Sequence, residues 1–127
     1  MSHTSNHLLT DVNLAGIGFS EDGRTLTIEF LNMTDGQPCA RLIANGVILL
    51  HYHNIFDSGD GLAAYVGEVT VQELGMDESG LVLSQLGYGF RGSGMERHSM
   101  LIHIEGGEVA VDIVCSEYHL IGHASNG

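Results

Sequence analysis

Eighteen glycines stand against a single proline, Pro38, and they cut the chain into short runs rich in valine, isoleucine, leucine, threonine and tyrosine. Glycine supplies the backbone conformations that tight turns need, and β-branched and aromatic residues favour a pleated, half-buried surface. The segmentation therefore predicts strands joined by turns, not a helical protein. The clearest strand covers Thr25 to Met33, where Leu26, Ile28 and Phe30 share one parity and Thr25, Thr27 and Glu29 the other. Alternation of this kind buries one face and wets the other. Ser20-Glu21-Asp22-Gly23 before it has the chemistry of a hairpin turn back to residues 11–19, where Gly16 and Gly18 indicate a bulge.

A second hairpin is centred on Gly106-Gly107. Read as a two-residue loop, it pairs Ile104 with Val109, Ile102 with Val111 and Met100 with Ile113, so that both apolar parities fall on one side. The next pair on that side is His98 with Cys115. Pro38 to Ala44, Gly46 to Phe56 and Ala63 to Leu74 have the lengths and residue types of three more strands. Gly46 to Tyr52 is apolar on both parities, which predicts a central strand covered on both faces. The segment 75–95 is glycine-rich and reads as loop, with one short helical stretch at Ser79–Leu86. The fold class expected is mainly β, an antiparallel β-sandwich or small barrel of about seven to eight short strands, with α+β as the alternative if that helix packs on the sheet.

With 127 residues and 43% hydrophobic composition, the chain suits one globular domain spanning 1–127, with 1–7 and 122–127 as flexible ends. It is too short for two-lobed enzymes such as dehydrogenases or kinases, which need roughly twice the length. Sixteen acidic residues face only four basic ones, Arg24, Arg41, Arg91 and Arg97, and there is no lysine, giving a formal charge of −12. Phosphate backbones and anionic lipid need clustered cations, so nucleic acid and membrane are excluded as expected partners. Missing lysine also removes Schiff-base chemistry and a P-loop phosphate site. A basic protein, in contrast, would be steered toward such a surface. Protonating all eight histidines would bring the charge from −12 to −4.

No apolar run approaches the roughly 18 residues of a transmembrane helix, and Met1 to Leu9 lacks the features of a secretion signal. The expected location is cytoplasmic, with Cys39 and Cys115 as free thiols.

The most specific chemical pattern is His51-Tyr52-His53 followed by Asp57. Residues two apart on a strand point to one face, so both imidazoles can reach one ion and the carboxylate can supply a third ligand. Zinc or another divalent transition metal would suit this donor set. Other patterns point elsewhere. Gly87, Gly89 and Gly92 spell G-x-G-x-x-G, but a strand follows them where a dinucleotide site needs a helix N-terminus. His98 facing Cys115 would be a thiol–imidazole pair, yet both positions fall on the expected core side. His119 and His123 have helical spacing and could join the His51 and His53 site if the C-terminus folds back. The function this composition favours is a small acidic, non-enzymatic binding domain that engages another protein. The alternative is a metal-dependent small-molecule enzyme or binder built on the histidine pair. Exposed strand edges would also suit a homo-oligomer.

Overall fold

The structure is a computed structural model that describes residues 6–55, 65–75 and 99–122. These form eight antiparallel strands: β1 (Asn6–Phe19), β2 (Thr25–Asn32), β3 (Pro38–Asn45), β4 (Leu49–Asn54), β5 (Tyr65–Leu74), β6 (Ser99–Glu105), β7 (Val109–Cys115) and β8 (Glu117–Gly122). The mainly β expectation holds, while the helix foreseen at Ser79–Leu86 and the loop around it lie outside the described residues. Asn6 and His7, expected to be flexible, open β1, and Gly122 closes β8.

One sheet runs in the order β4-β7-β6-β5-β1-β2-β3-β8, and two corners bring it back on itself. At the first corner, the long strand β1 serves two neighbours: its N-terminal half pairs with β5 and its C-terminal half with β2. Bulges between His7 and Leu9 and between Leu14 and Gly16 bend it there. Asp11 lies between them with a φ of 51°, a left-handed conformation that aspartate tolerates better than most residues. The Tyr65 hydroxyl donates to its carboxylate.

At the second corner two strands change partner sheets together. β3 runs on through Gly46 into β4 while β7 runs on through Ser116 into β8, and β3 pairs with β8 as β4 pairs with β7. Hydrogen bonds continue across the bend: the Ser116 N–H donates to Asn45 O at 3.0 Å, and the Ile48 N–H to Val114 O at 2.7 Å. Every step around the circuit is therefore bonded, and the sheet closes into a small barrel of two facing halves. Closure of this kind leaves most strands no free edge. The bend depends on Gly46, whose φ is +66° and whose Cα lies so close to Ser116 that an added Cβ would sit 2.5 Å from its Oγ.

The alternating residues fill the interior. Leu26, Ile28 and Phe30, Ala40, Leu42 and Ala44, Ile102 and Ile104, and Val109, Val111 and Ile113 form one buried cluster. Size is matched across strands, because Phe30 pairs with Ala40 and Ala40 with Gly122, while Ala44 lies between Leu26 and Tyr118. Small neighbours leave room for the largest side chains at native density.

Two expectations are corrected. The β6–β7 hairpin pairs Ile104 with Val111, Ile102 with Ile113 and Met100 with Cys115, two residues out of the expected register. Its turn sits one residue further along: the Gly106 N–H donates to Val109 O, and the Gly106 Cα abuts the start of β5, where a Cβ would lie 1.8 Å from Tyr65 O. A shift of two keeps the parity, so the same side chains still face the core. The segment read as a central strand stands instead at one end of the strand order, with β7 its partner. Its apolarity on both faces has another cause: Val47 and Leu50 pack on the main core, while Leu49 and Ile48 join Val114 and Leu101 in a second cluster on the opposite face.

Candidate functional site

Because the core consumes one parity of every strand, chemistry falls to the other. Across the half formed by β4, β7, β6, β5 and β1, the register aligns the outward positions into two rows. One row reads His51, Asp112, His103, Thr70, His7, and the neighbouring one His53, Ala110, Glu105, Glu68, Thr10. Strands lie about 4.8 Å apart and same-face residues about 6.8 Å apart along a strand, so the ten side chains form one continuous patch. It holds four imidazoles and three carboxylates. Neither described arginine belongs to it: Arg24 precedes β2, and Arg41 on β3 pairs with Glu29 on the other half of the barrel.

The patch is organised around His103. Its Nδ1 lies 2.7 Å from Asp112 Oδ1 and its Nε2 2.7 Å from Glu105 Oε1. Half-burial works against a charged ring, but the hydrogen bonds that Glu105 and Asp112 accept from it, together with their charges, outweigh it and raise the His103 pKa above the ordinary histidine value. A similar contact repeats on the flank, where His7 Nδ1 is 3.3 Å from Glu68 Oε2 and its Nε2 is 2.9 Å from Thr10 Oγ1.

His51 and His53 are exposed on the same side of β4, as their spacing predicts, with His51 opposite Asp112 and His53 opposite Ala110. Asp57 lies outside the described residues. Among the described residues, no group of three or more histidine, cysteine or carboxylate side chains is arranged to hold a metal ion. His119 is on strand, not helix. It sits on β8 opposite Ile43, eight residues along the paired segment from His51, or about 26 Å of extended chain. His123 and His98 are outside the described residues. Cys115 faces Met100 in the core, and burial followed by the nearby Glu117 charge pushes its thiol pKa up to about 12, which favours the unreactive thiol over the thiolate. Cys39 and Cys115 are both free.

Reading the sequence alone missed His7, Glu68, His103, Glu105 and Asp112. The only available signal was that each occupies the polar parity of its strand, and their convergence depends on registers across five strands.

The same fold occurs in the crystal structure of an uncharacterized protein from Neisseria gonorrhoeae, with a TM-score of 0.63 and 18% identity over 93% of this chain and 97% of that one. No curated protein matches. Residues 7–121 match a family model whose description reads only "-like" and names no activity. The chain belongs to that family. No helix among the described residues is long and apolar enough to cross a membrane.

Proposed function

We propose that the chain is a small acidic, non-enzymatic binding domain that docks a basic protein partner on the outer face of β4, β7, β6, β5 and β1. The carrying observation is the pair of rows in which Glu68, Glu105 and Asp112 lie together with no arginine among the described residues of the patch. The main core is built of buried apolar side chains, which leaves the polar chemistry on the outside. The charge of −12 and the missing lysines would steer a cationic partner inward from a distance and repel phosphate. Two free cysteines suit a reducing compartment such as the cytoplasm.

The test is fluorescence anisotropy with a labelled arginine- and lysine-rich peptide at pH 8 and two salt concentrations. Binding should weaken with salt, and the Glu68→Gln, Glu105→Gln, Asp112→Asn triple variant should bind about tenfold more weakly, ~1.4 kcal/mol. A control triple, Glu21→Gln, Asp35→Asn, Glu117→Gln, removes the same charge elsewhere and should lose little. Equal losses from both would show that net charge alone attracts the peptide. No binding at either salt would end the reading.

A second reading, a metal-dependent small-molecule enzyme or binder using His51, His53 and Asp57, is favoured by the exposure of both imidazoles on one side of β4. Elemental analysis of the purified protein and of the His51→Ala, His53→Ala variant decides it. A near-stoichiometric zinc or other divalent transition metal, lost in the variant, would support this reading over the first.

A further inference from the structure

His103 stands at the centre of the two rows with a carboxylate oxygen on each ring nitrogen, both at 2.7 Å. Neutral imidazole has one N–H donor and one lone pair, so one nitrogen would then direct its lone pair at a carboxylate oxygen. Only the protonated ring can donate to both.

We propose that His103 is a proton-operated brace on this face: protonated, it bridges Glu105 on its own strand and Asp112 on β7, and deprotonated, it releases one of them and leaves the patch one charge more negative. Exposure decides which partner is released. The Asp112 side chain is 19% exposed and that of Glu105 is 63% exposed. Water can replace the imidazole at Glu105 at little cost, whereas Asp112 would be left poorly solvated. The neutral ring therefore keeps its proton on Nδ1, toward Asp112, and Glu105 turns to solvent.

The surroundings act in the same direction. Across β5 the ring meets the uncharged Thr70, and Glu68, opposite Glu105, adds negative potential. On β1, His7 is engaged by Glu68, and on β4, His51 lies opposite Asp112 and His53 opposite Ala110. His103 has two carboxylates in contact. A group whose pKa is raised on folding contributes stability that is fully present below its unfolded value, near 6.5, and that is lost as pH rises through the folded value. The brace is thus closed below its raised midpoint and open above it, the condition in which the carboxylates of the proposed docking face are released.

Two measurements decide it. The first is a proton–carbon NMR titration of the histidine rings from pH 5 to 9 in the wild type, Glu105→Gln and Asp112→Asn, with His103→Gln to assign the signal. His103 should titrate above about 6.5, with its midpoint lowered in both variants and more in Asp112→Asn. The second is urea unfolding of the wild type and His103→Gln at pH 5.5 and 8.5. The wild type's higher midpoint at pH 5.5 should shrink toward zero at pH 8.5. A His103 midpoint at or below 6.5, a midpoint indifferent to both partner variants, or a difference in urea midpoint that does not change with pH would each overturn the brace. Should His103→Gln fail to fold, the titrations of the other variants still decide. Peptide binding with none of this pH response would leave the proposed function standing and remove the brace alone.

Discussion

Replacing Gly46 with alanine tests the closure of the barrel at the point where four strands meet. Gly46 has a φ of +66°, and a Cβ there would lie 2.5 Å from Ser116 Oγ and 2.9 Å from Ser116 Cβ. The left-handed conformation costs a non-glycine residue roughly 1–2 kcal/mol. Displacing Ser116 costs about another 1–3 kcal/mol, the usual range for overpacking, because its N–H is bonded to Asn45 O and Gly46 O. The total is about 3 kcal/mol. With an unfolding entropy of roughly 2.1 cal/mol/K per residue, the melting temperature should fall by about 10 °C. The two contributions separate in a double-mutant cycle with Ser116→Gly. Without Oγ and Cβ, the nearest remaining Ser116 atom is its backbone N at 3.6 Å, an ordinary contact. Gly46→Ala should then cost ~1–2 kcal/mol less than in the wild-type background, with the conformational part persisting. Urea unfolding of the four proteins supplies the cycle. A cost below about 1 kcal/mol for Gly46→Ala, or additive effects of the two substitutions, would refute the tight corner.

Other expectations concern the core and the thiols. Phe30→Ala should cost about 3–5 kcal/mol in chemical unfolding, because the ring is wholly buried and its cross-strand neighbour Ala40 is too small to fill the space. A loss under about 1 kcal/mol would mean that the barrel interior collapses far more easily than its packing implies. In native protein a thiol reagent should modify Cys39 slowly and leave Cys115 untouched until unfolding, since burial raises both thiols and carries Cys115 to about 12. Rapid native modification of two thiols would contradict the core position of Cys115.

The strands were legible because their chemistry is local. Leu26, Ile28 and Phe30 alternate with polar residues, and that alternation alone places them inside. The apolar parity of the Gly106-Gly107 hairpin was also legible, although its register was not. Turn residues suggest where a loop sits, but Gly106 is bonded to Val109 O and packed against Tyr65 O, and Tyr65 is distant in sequence. For the same reason, apolarity on both faces of residues 47–50 looked like a central strand. Two clusters on opposite faces produce the same pattern at the end of the strand order.

The outer face divides in the same way. His51 and His53 could be placed together from sequence, because a strand's two-residue period puts them on one side. Composition likewise determined the charge and the missing lysines. Only the tertiary structure set Asp112 between His51 and His103, and Glu105 between Ala110 and Glu68. A local period specifies which side a residue faces, but not which strand lies beside it. That is decided by the closing of the barrel, through contacts such as Gly46 against Ser116 that join segments remote in sequence.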